Sequence, residues 1–314
     1  MKKALLAPIP LTILLSISGL SGAAILATTT SSAPRPRTDL PRQTDLPRSV
    51  TVAFWNIQWF PGHRPDATPG EERRQISAVH ADIVRLNADV IGMEEVRDFS
   101  HAGLAIQPLP GFKVDVCGNF PPREGQDIGQ EPAIASRLQP LSAWAEEWKA
   151  AGPILPPRGF AFAAYQVNPR QLLMVYDVHL KSNLGEIGED ISMRQESIRQ
   201  LQSHIEAMQT AYAKLGTISW VVGGDFNTSL DDKRFAGENT LRSMIARGFG
   251  WIWQNIPASS RITVPSERGF PPACFDHAFY RGAILRQASV VNTSPLSSDH
   301  RAIVATFDLP PGDK

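Results

Sequence analysis

Cysteine is scarce in this chain: only Cys117 and Cys274 in 314 residues. So few thiols exclude a multi-disulfide scaffold and a four-cysteine zinc site. One disulfide or two separate buried thiols both stay open. No HExxH zinc motif is present. An excess of charge of either sign is missing as well, with 31 Lys and Arg against 31 Asp and Glu. Setting aside Lys2, Lys3, Arg35, Arg37, Arg42 and Arg48, with Asp39 and Asp45, leaves 25 basic and 29 acidic residues beyond position 48, a net of −4. That excludes holding a polyanion by bulk charge, but not a site whose carboxylates bind metal. No second Pro/Ser-rich linker interrupts the chain after residue 48, which points to a single domain.

The first fifty residues differ from the rest. Met1-Lys2-Lys3 precedes an uncharged run from Ala4 to Ala27. That order reads as a signal peptide over residues 1–27, with Ser21-Gly22-Ala23 offering a cleavage point. Pro8 and Pro10 argue against a core helix. An uncleaved membrane anchor is the alternative, and no cysteine follows that could carry a lipid. Residues 28–48 are rich in Thr, Ser, Pro and Arg, with TDLPR at 38–42 repeated at 44–48. Such a stretch cannot bury a core and reads as a disordered linker. The expectation is a monomeric domain over 49–310, secreted or periplasmic, meeting a membrane only through its signal or anchor.

Strands and helices alternate along the body. Apolar strands are expected at 51–58, 89–96, 112–116, 133–136, 170–180, 218–226, 273–280, 288–292 and 301–307. Ile76, Val79, Ile83 and Leu86 share one face of a helix over 71–87. Ile198, Leu201, Ile205, Met208 and Tyr212 line the inner side of a second, over 192–215. Helices covering strands that are apolar on both faces predict a layered α/β protein.

The apolar strands end in polar groups. Asn56 closes the first, Glu94 and Glu95 the second, His179 a later one, and Asp225 and Asn227 the next. Asp276 lies in a sixth, and Asp299-His300 precedes the last. Unpaired buried carboxylates are costly, so a set of them at strand ends points to one shared rim. Singly, each has a plainer reading: Asp225-Phe226-Asn227 as a turn, Asn56 as a structural hydrogen-bonder, His179 as a core histidine. Strand alternation also predicts that Glu94 and Glu95 face apart. Oxygen donors without cysteine suit Mg²⁺, Mn²⁺ or Ca²⁺. The histidines and carboxylates can move protons.

The blocks FWNIQWF (54–60), DVIGMEEV (89–96), VYDVHLKSN (175–183), VVGGDFNTSL (221–230), CFDHAFY (274–280) and SSDHRAIV (297–304) resemble the endonuclease/exonuclease/phosphatase superfamily. GDFN with a C-terminal SDH is the specific part. The resemblance implies a four-layer α/β sandwich, two packed mixed β-sheets flanked by helices. It implies metal ligation by Asn56, Glu95 and Asp299, with Glu94 where Gln is usual. It implies catalytic roles for the other five. His300 stands beside the scissile phosphate and Asp276 orients it. Asp225 positions or deprotonates water, Asn227 holds phosphate or water, and His179 touches phosphate or the leaving oxygen. Gln58 departs from the acidic residue of abasic-site enzymes and is closer to deoxyribonuclease I. The segment from Cys117 to Phe162 matches poorly. Glu131 there is a weak candidate, more readily a solvated loop charge, and Lys181 is likewise more readily solvated.

The expected function is hydrolysis of a phosphodiester substrate, nucleic acid being first among them. The alternatives are a lipid phosphodiesterase like the sphingomyelinases, a phosphomonoesterase, or a silent binding module. A lipid enzyme needs an apolar contact element. GWIWQNIP (250–257) and AWAEEW (143–148) are the aromatic-rich candidates, more readily read as core or helix packing.

Overall fold

The computed structural model describes residues 49–121, 129–266 and 270–310. The signal peptide and linker expected over 1–48 lie outside the described residues. Among the described residues no helix is long and apolar enough to cross a membrane. The strands are β1 (Ser49–Phe60), β2 (Val90–Val96), β3 (Lys113–Cys117), β4 (Glu131–Ser136), β5 (Pro140–Glu147), β6 (Gly159–Asn168), β7 (Gln171–His179), β8 (Thr217–Asp225), β9 (Gly250–Trp251), β10 (Asp276–Arg281), β11 (Ile284–Val291) and β12 (Ala302–Asp308). The helices are α1 (Pro69–Ile83), α2 (Phe99–Ala105), α3 (Ile187–Tyr212) and α4 (Thr240–Ala246).

Two six-stranded sheets result, in the orders β11-β12-β1-β2-β4-β3 and β5-β6-β7-β8-β10-β9. Each is mixed: β1 and β2 run parallel, as do β7 and β8, while their outer neighbours run antiparallel. The period of two in β1 explains the layering. Val50, Val52 and Phe54 face the core shared by the two sheets. Ala53, Trp55 and Ile57 face the opposite side, packing with Val79 and Ile83 of α1 and Ala102 and Ala105 of α2. On the second sheet every residue of β7 is buried, and Ile198, Leu201, Ile205, Met208 and Tyr212 of α3 are buried with it. Helix, sheet, sheet and helix therefore stack as the expected four-layer sandwich.

Helix α1 begins two residues before the periodicity suggested, because its start is fixed by other means. Thr68 and Glu71 form a capping box, with Pro69 in the first turn. Helices α2 and α4 have seven residues each, too short for a helical period to show. The β5–β6 hairpin was not foreseen in the poorly matching middle. AWAEEW falls largely on β5, where Trp144 packs on Phe162 at 4.4 Å between centroids. In GWIWQNIP, Trp251, Ile252 and Trp253 are buried. Cys117 and Cys274 are both free thiols, so the disulfide left open above does not form.

Candidate active site

Both pairs of parallel strands end at one rim between the sheets. Register places Asn56 opposite Glu94, His179 opposite Asp225, and Asp225 opposite Asp276. The segment before β12 is drawn onto the same rim. Ser298 Oγ donates to the Asn56 carbonyl at 2.6 Å, Trp55 Nε1 donates to the His300 carbonyl at 3.0 Å, and the Asp299 N–H donates to Gln58 Oε1 at 3.2 Å. Gln75 of α1, fully buried, donates to the carbonyls of Ile57, Gln58 and Ser297. It pins the exit of β1 to the SSDH segment, a role that nothing in the helical pattern announced.

Gly223 and Gly224 are required by close approach. A Cβ on Gly223 would lie 2.3 Å from the Phe54 ring of the facing sheet. Gly224 has φ +127° and would meet the Val178 carbonyl at 2.1 Å. The two glycines thus let the sheets close directly behind Asp225.

Asp225 accepts from Asn56 Nδ2 (3.1 Å), the Asn227 N–H (2.8 Å) and Asn227 Nδ2 (3.0 Å). Asn227 adopts φ +53°, which folds its side chain back toward Asp225. Asp276 lies 2.9 and 3.1 Å from His300 Nδ1, and His300 Nε2 lies 3.9 Å from Asp225 Oδ2. His179 Nε2 sits 3.6 Å from Asp225 Oδ2 and 3.7 Å from Glu95 Oε1. Glu95 accepts from Asn56 Nδ2 (3.1 Å) and from the Trp59 N–H (3.0 Å). The eight residues singled out from sequence are therefore joined at one rim. Lys181 instead pairs with Asp190 at 2.8 Å.

The two histidines differ in charge. Burial disfavours the His300 cation, but Asp276 and Asp225 outweigh it and raise its pKa well above the ordinary value. His179 is driven well below it by burial, then by the charges of Arg158 and His300, and is neutral. Burial lifts Asp225 to about 7, with His300 opposing and Asp276 adding. Glu95 is raised by burial, against the Asn56 hydrogen bond and with the Asp299 charge adding.

Strand alternation did not hold at Glu94 and Glu95. Glu95 adopts φ +63° where β2 shifts register against β4. That bulge carries Glu95 to Asn56, while Glu94 Oε1 comes within 2.7 Å of where a Gly224 Cβ would stand. Both acids therefore reach inward. Glu94 and Asp177 are fully buried, their carboxyl groups interact with each other, and the backbone N–H groups of Met93 and Ala133 act on Asp177. Burial first, then the charge of Asp177, holds Glu94 well above the carboxylate range, and burial lifts Asp177 to about 7.

Sequence reading missed Arg158. Its Nε and Nη2 donate to the carbonyls of His179 (3.1 Å) and Leu180 (2.6 Å), fixing the end of β7. Its charge also acts on Glu95 and His179. The available signal was an arginine at the head of an apolar strand. Glu131 is not the solvated loop charge expected: it starts β4, is buried, and accepts from the Phe120 N–H at 3.1 Å. Burial raises its pKa to about 7.

A hard divalent ion fits these donors. The charge of Asp299 raises the proton affinity of Glu95, a repulsion that a cation between them would relieve. As placed, Asn56 turns its amide nitrogen to the carboxylates and its oxygen to the Gln58 N–H (3.0 Å), so it would rotate to ligate. Asp225, Asp276 and His300 also offer one donor atom each, all within 4.8 Å of one another.

Buried imidazoles and carboxylates beside a hard-ion site, on a two-sheet sandwich, define a metal-assisted hydrolase. The profile of the Endonuclease/Exonuclease/phosphatase family matches residues 53–300, and the chain belongs to that family. It is a metal-dependent phosphoester hydrolase. No curated protein matches it significantly by sequence. Among solved structures, an endonuclease/exonuclease/phosphatase from Beutenbergia cavernae DSM 12333 is 20% identical with TM-score 0.60, covering 84% of this chain and 72% of its own. SmcL is 16% identical with TM-score 0.63, covering 83% and 99%. TDP2 of D. rerio complexed with single strand DNA product is 15% identical with TM-score 0.56, covering 82% and 98%. At these identities the structural likeness establishes the fold.

Proposed function

We propose that the chain is an exported phosphodiesterase of the deoxyribonuclease I type, cleaving nucleic acid by in-line attack of water with Mg²⁺, Mn²⁺ or Ca²⁺ bound. The observation that carries this is the His300–Asp276 pair set 3.9 Å across from the hydrogen-bonded carboxylate of Asp225. Asp225, steadied by Asn56 and Asn227, orients the attacking water and takes its proton. His300, kept protonated by Asp276, donates to a non-bridging phosphoryl oxygen. Neutral His179, fixed through its carbonyl by Arg158, donates a hydrogen bond from Nε2 to the phosphate or leaving oxygen and keeps its own proton, the leaving oxygen being protonated from solvent. Glu95, Asp299 and, after rotation of its amide, Asn56 would hold the ion, which when bound would supply charge stabilisation to the phosphoryl group.

Support for nucleic acid over lipid comes from the aromatic segments. Those a lipid enzyme would turn to a membrane are packed inward at Trp251, Trp253 and Trp144. A structural neighbour holds a single-stranded DNA product. Export rests on the order of the first twenty-seven residues. The test runs DNA, RNA, sphingomyelin vesicles, an aryl phosphodiester and an aryl phosphomonoester side by side with Mg²⁺. Chelator-sensitive turnover of DNA or RNA is the expected result. Turnover of lipid or monoester alone would refute this substrate assignment.

A further inference from the structure

Asp276 opens β10 in the second sheet, and His300 stands just before β12 in the first. The two strands belong to different sheets, so no strand register sets the 2.9 Å contact between these side chains. Thr263, on the loop between β9 and β10, ties the two segments together. It is fully buried. Its Oγ1 accepts from the Phe275 N–H (3.0 Å) and the Asp276 N–H (3.2 Å), one lone pair for each. Its carbonyl accepts from the Arg301 N–H at 2.7 Å. One residue therefore holds the backbone at Asp276 with its side chain and the backbone beside His300 with its main chain. Arg301 repeats the link, donating from Nη1 to the Ile262 carbonyl at 3.2 Å.

The loop that carries Thr263 is itself braced. The N–H groups of Thr263 and Val264 both donate to the Ala273 carbonyl (3.0 and 2.9 Å), and the Ala273 N–H donates back to the Val264 carbonyl at 2.9 Å. Two residues earlier, Arg261 grips both oxygens of Asp231 (2.9 and 2.6 Å) and reaches the carbonyls of Trp253 (2.9 Å) and Ile256 (3.1 Å). Its guanidinium lies 4.7 Å from the centroid of the Trp251 ring. Threonine suits the position for two reasons. A buried backbone N–H without an acceptor is costly, and a hydroxyl offers two acceptor sites where valine offers none. A β-branched side chain also has few rotamers, which holds the oxygen in one place.

We propose that Thr263 is a positioning residue of the reaction, setting the Asp276 carboxylate against His300 and acting only through that pair. The inference rests on the roles proposed above for Asp276 and His300 and adds the residue that brings them together.

The test is a double-mutant cycle on the full-length protein with bis(4-nitrophenyl) phosphate and Mg²⁺. Thr263→Val keeps the shape and removes the acceptor. It should lower kcat about tenfold with KM changed by less than about twofold, since a shift of a fraction of an ångström is enough. In an Asp276→Asn background the same substitution should change kcat by less than about twofold, because the pair it positions is already broken. Thr263→Ser keeps the oxygen and should recover most of the wild-type kcat. An equal loss in both backgrounds, or an undiminished kcat in folded Thr263→Val, overturns the positioning role alone. If Thr263→Val does not fold, Thr263→Cys, whose sulfur is a weak acceptor, takes its place under the same criteria. If neither folds, Thr263 serves the fold and the proposal fails. A wild type without turnover, or Asp276→Asn with the wild-type kcat, overturns the catalytic reading and this inference together.

Discussion

Two sets of acids sit between the same two sheets, and different partners hold them. Asp225 receives three hydrogen bonds, Asp276 faces the His300 imidazole, and Glu95 receives two donors. Glu94 and Asp177, both fully buried, face each other instead, with backbone N–H groups of Met93 and Ala133 acting on Asp177. Acids of the first set are held in fixed orientation by donors, which preorganises them for charge developing at a phosphate. Burial lifts Asp225 and Asp177 alike to about 7, but the second set has no histidine beside it, and the charge of Asp177 holds Glu94 well above its ordinary value, so that pair retains a proton. Burial alone therefore does not mark a catalytic acid here; side-chain amide and imidazole partners at the rim do.

The contrast makes graded predictions. His300→Ala should cut kcat/KM on any diester substrate by about 100-fold to 10,000-fold while circular dichroism and the melting transition stay near wild type. A comparable loss of fold would place His300 in the structural set. Asp225→Asn should lower kcat by about 100-fold or more without lowering stability, because it removes a buried charge and keeps the shape. A matching loss of melting temperature would show that Asp225 serves the fold. Glu94→Gln should do the reverse. At pH 8 it is expected to stabilise by about 1–2 kcal/mol, since the amide donates to Asp177 and no proton has to be retained. For a domain of this size each kcal/mol raises the melting temperature by roughly 2–4 °C.

The pH dependence follows from the same pair. The folded pKa values of Glu94 and Asp177 are raised, so between about pH 4 and 7 the folded state binds more protons than the unfolded state. The stability contribution is fully present below the unfolded values near 4 and is lost as pH rises toward 7. Melting curves from pH 4 to 8 should therefore show a decline in wild type that Glu94→Gln flattens. Parallel curves for the two proteins would count against a retained proton.

Much of this was legible in the sequence because the chemistry sits at strand ends. GDFN and SDH, spaced among apolar strands, placed Asp225, Asn227, Asp299 and His300 at one rim before any geometry. The layering followed from strands apolar on both faces. What the pattern could not show depended on a break in periodicity or on a distant partner. Glu95 reaches the site through a left-handed residue, and alternation rules forbid that reach. Arg158 and Gln75 act on backbone carbonyls far away in sequence, so no local spacing reveals them. Asp177 was hidden inside a strand read as apolar, two positions before His179. The β5–β6 hairpin carries AWAEEW, whose charges disguise a strand that is set by pairing with β6.

The most direct measurement is turnover of bis(4-nitrophenyl) phosphate by the chelator-treated protein, before and after adding Mg²⁺ or Mn²⁺, with Glu95→Gln in parallel. The metal-assisted site predicts no turnover without metal, recovery in wild type, and a much higher metal concentration for half-recovery in Glu95→Gln. Undiminished hydrolysis in the chelator, or identical metal titrations for the two proteins, would contradict it.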